Sequence, residues 1–289
     1  MELRAYAKIN LYLAVTARRA DGYHDIVSIM QTVDLYDDVR VAVKQDGCNG
    51  IFLRCDGDLP CDERNLAYVA AQRYFGGEVP YRIEIDIRKR IPAQAGLAGG
   101  SADCAAVLRA LNAQLGHYTE RELLALGARL GADVPFCLVG GTRITRGIGE
   151  IMQECVPMPE CCLVIARGGQ GVSTPWAYGA LDAVYGDFCE QGRTCEARLS
   201  DLLDAMERCD LTGMSAAMYN VFESVVLPVH EIAKETKRIM LEGGAAGALM
   251  SGSGPSVVGV FADECAARAV QKSIAEQGVA AFVCKPVNV

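Results

Sequence analysis

The chain has 289 residues, 51% hydrophobic and 22% charged, which is enough apolar material for a sizeable core and two domains and excludes disordered and fibrous classes. Its net charge of 28 − 36 = −8 has the wrong sign for affinity built on nucleic-acid phosphates or anionic lipid, so neither a nucleic acid nor a membrane is expected as partner, and an anionic ligand has to be met by a local site. Thirteen cysteines scattered from Cys48 to Cys284 without a C-x-x-C pair, beside three histidines, argue against zinc; Glu2, Arg4 and Lys8 stand where a signal peptide needs apolar residues, so reduced thiols and a cytoplasmic address are expected.

Residues 3 to 15 alternate, with Leu3, Ala5, Ala7, Ile9, Leu11, Leu13 and Val15 on one side and Arg4, Tyr6, Lys8, Asn10 and Tyr12 on the other, the pattern of a half-buried strand. Val39, Val41 and Val43 repeat it, as do Ile83, Ile85 and Ile87 against Glu84, Asp86 and Arg88. Helices are predicted over 65–75, 101–115 and 119–130, the last opened by a Thr119…Glu122 capping box and stopped by Gly131. Strands and helices do not alternate strictly, which points to α+β rather than a doubly wound sheet. A hairpin is predicted from Thr142 to Met152, followed by a linker at Val156–Pro159. Beyond it come a strand at 162–166, a helix at 175–184 with Thr174 as N-cap, a helix at 229–241, and strands at 257–261 and 279–284 flanking a helix that starts at Asp263. No internal repeat is visible.

The most informative segment runs from Ile91 to Asp103, Ile-Pro-Ala-Gln-Ala-Gly-Leu-Ala-Gly-Gly-Ser-Ala-Asp, between a predicted strand and a predicted helix. Gly96, Gly99 and Gly100 let main-chain N–H groups converge on phosphate oxygens where a helix N-terminus adds partial positive charge. Ser101 can cap that helix or donate its hydroxyl to a phosphate. Gly-x-x-Gly-Gly-Ser matches neither G-x-G-x-x-G nor a loop ending in Gly-Lys-Ser/Thr, and on the glycines alone a plain strand-to-helix turn is an equally good reading.

The order Pro92-x-x-x-Gly96-Leu97-Ala98-Gly99-Gly100-Ser101-x-Asp103 resembles the ATP-binding motif of the GHMP kinases. Two further segments resemble that superfamily: the N-terminal Ala5-Tyr-Ala-Lys8-Ile-Asn10-Leu, and the glycine-rich Met250-Ser-Gly252-Ser-Gly254-Pro-Ser256. Ala102 stands where members often carry a second serine, so one hydroxyl of the family's loop is missing here. The resemblance implies an α+β, two-domain GHMP kinase fold. Its N-terminal ATP-binding domain, residues 1–157, would resemble domain 2 of ribosomal protein S5, and its C-terminal substrate domain, residues 158–289, would be ferredoxin-like. It implies ATP with Mg²⁺, bound by Pro92, Gly96, Leu97, Ala98, Gly99, Gly100 and Ser101, with Asn65 near the adenine.

By the same resemblance Asp133, in Leu130-Gly-Ala-Asp133-Val-Pro, accepts the proton of the attacking hydroxyl, while Lys8 polarises that oxygen and Asn10 helps grip the substrate. Read without it, Lys8 is a solvated strand lysine and Asp133 the N-cap of a following short helix.

The segment Arg18-Arg-Ala-Asp-Gly-Tyr23-His24 resembles the branch of the superfamily whose alcohol substrate carries a cytidine diphosphate. That implies a small-molecule substrate, cytidine diphosphate methylerythritol, phosphorylated on its 2-hydroxyl for isoprenoid precursor synthesis. Tyr23 would stack on the cytosine, His24 would read its edge, and Tyr178 would close the other face. Thr174 and Ile148 are matched to weaker substrate contacts. A homoserine- or mevalonate-type kinase, or a silent nucleotide-sensing relative, remains the alternative, and the sequence leaves monomer or homodimer open.

Overall fold

The computed structural model describes residues 1–57, 59–186 and 191–288, and the side chains of all of these except 191–196. They form two compact units that interleave along the chain.

The first unit comprises Met1–Ala7, Leu35–Ala93 and Ala98–Val139. It takes the start of β1 (Glu2–Arg18) and the second half of β2 (His24–Lys44), followed by β3 (Gly50–Cys55), α1 (Leu66–Tyr74), β4 (Arg82–Arg88), α2 (Gly99–Leu115), α3 (Glu120–Leu130) and α4 (Val134–Val139). β4 runs antiparallel to β2, in register from Asp38↔Arg88 to Lys44↔Arg82, and parallel to β3 on its other edge. The alternation read from the sequence is real: Ile83, Ile85, Ile87, Val39 and Val41 are buried, and Asp86 and Arg88 face water. Small residues Ala67, Ala70 and Ala71 let α1 lie close to α2, which buries Ala105, Leu108 and Leu111. The capping box of α3 forms as expected, Thr119 Oγ1 accepting from the Glu122 amide at 3.3 Å and Glu122 Oε2 accepting from the Thr119 amide at 2.9 Å.

The second unit comprises Lys8–Asp34, Gln94–Leu97 and Gly140–Val289. Here β5 (Thr142–Arg146) pairs with β2 over Ser28–Gln31 and with β6 (Ile151–Glu154) in the expected hairpin. After β7 (Cys162–Arg167) come α5 (Thr174–Tyr185), α6 (Gln191–Glu207), α7 (Leu211–Ala217), β8 (Tyr219–Asn220) and α8 (Glu223–Val226). β8 runs parallel to β1 at Tyr12↔Tyr219 and Leu13↔Asn220. The chain ends with α9 (Glu231–Glu242), β9 (Gly247–Met250), β10 (Ser256–Phe261), α10 (Glu264–Glu276) and β11 (Ala281–Cys284). The order β7-α9-β9-β10-α10-β11 and the antiparallel sheet order β11-β7-β10-β9 make the ferredoxin-like arrangement that was expected. Its core joins Val164 and Ala166 to Val257 and Phe261, covered by Ala233 and Met240 of α9 and Ala267, Val270 and Ile274 of α10.

Two local expectations are corrected, and one element was not anticipated. The N-cap of α5 is Ser173, whose hydroxyl accepts from the Trp176 amide, and Thr174 is the first helical residue. Ser101 does not cap α2: the helix begins at Gly99, and Ala98 occupies the cap position in a left-handed conformation with φ 56° and no side-chain cap. The first half of β2 escaped the sequence reading because Ile26 through Val33 are all buried, and a strand covered on both faces shows no alternation. Among the described residues no helix is long and apolar enough to cross a membrane.

Candidate active site

Lys8 and Asn10 leave β1 on the same face, as period-2 geometry requires, and both are buried. Lys8 Nζ donates to Asn10 Oδ1 at 2.9 Å. Asn10 is wired on every side: Oδ1 also accepts from the Gly252 amide at 3.0 Å, Nδ2 donates to Ser28 Oγ at 2.8 Å, and its backbone N–H donates to Ser251 Oγ at 3.3 Å. Ser28 passes its own hydrogen to Tyr12 O, and Ser251 Oγ donates to Gly96 O at 3.1 Å. A further bond runs from the Lys8 amide to Leu97 O at 3.1 Å. Within the second unit the structure therefore gathers Lys8, Asn10, Gly96, Leu97 and the glycine-rich turn at 250–254.

That turn packs against Gly96 so closely that only glycine fits. A Cβ on Gly96, whose φ is +74°, would stand 2.3 Å from Ser251 O. The turn is held from behind by Asn220, which donates from Nδ2 to Met250 O at 2.6 Å and Gly252 O at 2.8 Å and accepts at Oδ1 from the Phe222 amide at 2.9 Å. Buried amides that satisfy all their groups fix geometry well.

In the first unit, Pro92 enters the loop, Ala98 takes the left-handed cap position, and Gly99, Gly100 and Ser101 form the opening turn of α2. No atom lies within 4 Å of the point where a Cβ on Gly100 would sit, which leaves the amides there approachable. Asp133 immediately precedes α4, which packs on α2; a Cβ on Gly131, two residues before it, would lie 4.0 Å from Ser101 Oγ. The Asp133 turn is thus a neighbour of the N-terminus of α2. Asn65 caps α1, with Oδ1 accepting from the Ala67 amide at 3.0 Å and Nδ2 donating to Pro60 O at 2.9 Å, so its side-chain groups are engaged locally.

A second cluster in the second unit is aromatic. His24 is buried, and its Nε2 lies 2.8 Å from Asp182 Oδ1 on α5, while Arg18 reaches the other oxygen of Asp182 at 3.5 Å. The Tyr178 ring stacks on His24 with centroids 4.6 Å apart and meets Phe222 edge-on. Tyr178 therefore backs His24 directly. Tyr23 is 60% exposed and offers an open ring face. Thr174 Oγ1 is 3.0 Å from Ser253 Oγ of the glycine-rich turn. The Ile148 amide donates to Glu150 Oε2 at 2.7 Å, so its main-chain N–H is already taken within its own turn.

Four residues here had no prior assignment: Ser28, Asp182, Asn220 and Ser251. Ser251 lies inside a segment whose glycines were recognised. The other three carry no local signal, because their bonds into the site reach residues far along the chain: 18 positions from Ser28 to Asn10, 30 and 32 from Asn220 to Met250 and Gly252, and 158 from Asp182 to His24.

Comparison with known proteins gives the family. The family profile described as GHMP kinases N terminal domain matches residues 65–141, and that described as GHMP kinases C terminal matches residues 200–280. The chain is 39% identical to the 4-diphosphocytidyl-2-C-methyl-D-erythritol kinase of Clostridium botulinum (strain Alaska E43 / Type E3), over 99% of this chain and 100% of that one. It is 42% identical to the enzyme of the same name from Alkaliphilus metalliredigens (strain QYMF), over 90% and 88%. Among solved structures, a crystal structure of 4-(cytidine 5'-diphospho)-2C-methyl-D-erythritol kinase superposes with a TM-score of 0.82 at 31% identity over the whole of both chains. The homoserine kinase of Cytophaga hutchinsonii, at 22% identity and a TM-score of 0.72 over 99% of this chain and 95% of that one, shares the fold. The glycine loop, the buried Lys8–Asn10 pair and these full-length likenesses lead to one conclusion: the chain belongs to the GHMP kinases, and within them to the 4-diphosphocytidyl-2-C-methyl-D-erythritol kinase family.

Proposed function

We propose that the chain transfers the γ-phosphoryl group of ATP, supplied as its magnesium complex, to the 2-hydroxyl of 4-diphosphocytidyl-2-C-methyl-D-erythritol in the cytoplasm, a step of isoprenoid precursor synthesis. The observation that carries this reading is the buried Lys8–Asn10 pair, bonded to the Gly252 turn and to the loop at Gly96 and Leu97, in a chain 39% identical end to end to a kinase named for that substrate. In this proposal residues 1–157 form the ATP-binding domain, which also contributes Lys8, Asn10, Tyr23 and His24 to the substrate, and 158–289 form the substrate domain.

In-line phosphoryl transfer asks the protein for an oriented nucleophile and electrostatic support of a loose transition state, and little covalent chemistry. Asp133 takes the hydroxyl proton as the new oxygen–phosphorus bond forms. The bond from the γ-phosphorus to the β–γ bridging oxygen breaks, and ADP leaves with that electron pair. Lys8, kept in place through Asn10, stabilises negative charge on the attacking oxygen. Main-chain amides at 96–101 hold the phosphates, since a helix N-terminus after glycines is suited to anions. Tyr23 gives the cytosine a stacking face, and His24, steadied by Asp182 and Tyr178, reads its edge.

Incubation with MgATP and the cytidine-diphosphate alcohol, followed by mass analysis, tests the class and the substrate together. A gain of one phosphate is expected, with protection by CDP; no gain, or equal turnover of homoserine or mevalonate, removes the reading. Lys8→Ala and Asp133→Asn are each expected to lower kcat by at least about a hundredfold while the fold survives.

A further inference from the structure

A buried charge cluster ties down the segment that carries the glycine loop, and the reaction as described makes no use of it. Lys89, just past β4, sends its ammonium between two carboxylates: Nζ lies 2.5 Å from Asp37 Oδ2 on β2 and 2.5 Å from Asp103 Oδ2 near the start of α2. Asp37 is fully buried, and its other oxygen accepts from the amides of Arg90 at 2.5 Å and Ile91 at 2.8 Å. The Lys89 amide donates to Asp56 Oδ1 at 2.6 Å. Each main-chain N–H from 89 to 91 thus ends on a carboxylate, and the next residue is Pro92 at the mouth of the loop. The ammonium also lies beneath the first helical residue, since a Cβ on Gly99 would stand 3.5 Å from Lys89 Nζ and 3.0 Å from Ile91 Cγ2.

Such a cluster is a weak sign of stabilisation. Burying two carboxylates around one ammonium costs desolvation that attraction repays only in part, and apolar replacements of buried ion pairs are often neutral or better. Asp103 Oδ1 is buried with no hydrogen-bond partner among the described residues. The Asp103 carboxyl is pushed up to about 7, by burial first, with the charge of Asp37 adding and that of Lys89 opposing; Cys55 and Cys104 are the other titratable groups beside it. What the cluster supplies is fixed spacing, because short charge-assisted bonds join β2, the end of β4 and α2 at one point.

We propose that Lys89 is a positioning residue for the nucleotide: held by Asp37 and Asp103, it fixes the start of α2 relative to the end of β4, so that the amides at 98–101 keep the spacing a triphosphate requires. This rests on reading that loop as the phosphate cradle. Lys89 touches no reacting atom and acts through the helix it anchors.

Asp103→Ala removes the acceptor on the helix while leaving a good helix former and one fewer buried charge, so this variant is expected to fold. Asp103→Asn keeps an oxygen that accepts from Lys89. Positioning predicts that Asp103→Ala raises KM for MgATP about tenfold or more, with kcat and KM for the cytidine alcohol within about twofold, and that Asp103→Asn stays near wild type. Lys89→Met and Asp103→Ala break one bridge, so the double variant is expected to be no worse than the poorer single one. A folded Asp103→Ala with lowered Tm and unchanged KM for ATP overturns the proposal, as do fully additive effects. Gly96→Ala separates the two readings. If it leaves ATP binding intact, the loop reading itself falls; if it weakens ATP binding and Asp103→Ala does not, only the role of Lys89 falls.

Discussion

Burial separates the two aromatic residues that end the Arg18–His24 segment. Tyr23 sits on a turn closed by the Arg19 amide donating to Tyr23 O, and its ring faces solvent; His24 begins β2 and is covered by Tyr178. An exposed phenol ring has little to gain from the fold itself, and a flat pyrimidine gives it a partner. His24 is oriented instead by Asp182, because a ring nitrogen engaged by a carboxylate settles the ring plane and the roles of both nitrogens. Tyr23→Ala and His24→Ala are therefore expected to raise KM for the cytidine alcohol about tenfold or more and to leave KM for ATP within about twofold. Asp182→Asn, which keeps the shape and loses the charge, should shift the same constant in the same direction by a smaller factor. Steady-state kinetics with each substrate varied in turn measures this, and equal losses for both substrates would contradict a cytosine pocket here.

The glycine-rich turn between β9 and β10 depends on β8, an element of two residues that no periodicity could announce. Asn220 on β8 carries the turn through two carbonyls, and the turn carries Asn10 through the Gly252 amide. Asn220→Ala leaves Met250 O, Gly252 O and the Phe222 amide without their partner, which costs roughly 1–3 kcal/mol for each buried group left unsatisfied. Chemical denaturation should show that loss, and kcat should fall with it because Lys8 and Asn10 lose their backing; unchanged kcat in the folded variant would detach the turn from catalysis. The same contrast explains what the sequence could and could not disclose. Ile83, Ile85 and Ile87 announced β4 because one face of that strand meets water, and Thr119 with Glu122 announced α3 because a capping box is local. Ile26 to Val33 hid half of β2, since a strand buried on both sides has no water-facing side to mark the period, and its polar Ser28, Gln31 and Thr32 are buried along with the rest. Ser173 displaced Thr174 as the cap of α5 because two adjacent hydroxyls compete for one role and only backbone geometry decides. The candidate site was legible in Lys8, Gly96 and His24 through motif order, while Asp182, Asn220 and Lys89 act across distances that only the folded chain closes.

Across the chain, the two compact units share β1 and β2, an interleaving that linear patterns cannot express because alternation is blind to which strand lies alongside. Charge is distributed unevenly as well. The net charge of −8 sits mostly in exposed carboxylates, several of them drawn below their usual range by arginine, lysine or capping partners: Asp62 to about 2, and Glu84, Glu122 and Glu264 in the same direction. Whatever stability those groups contribute is present above the unfolded carboxylate range and fades only in acid. Asp103 works the other way. Its carboxyl titrates near about 7 in the folded chain and near about 4 when unfolded, so between those values the folded state holds a proton that the unfolded state has released. Its contribution to stability is greatest below the unfolded carboxylate range, declines as pH rises through its raised folded value, and is level above that. Asp103→Asn removes this proton linkage while keeping an acceptor for Lys89. Between pH 5 and 8 the exposed carboxylates are already ionised, and the three histidines and the N-terminal amine titrate alike in the wild type and in Asp103→Asn, so the difference in thermal unfolding between the two proteins reports the buried carboxyl. Relative to Asp103→Asn the wild type is expected to lose Tm as the pH rises across that range, leaving Asp103→Asn the more stable of the two at pH 8; parallel curves for the two proteins would mean that Asp103 is already ionised at pH 5 and that its buried oxygen has found a donor in solution.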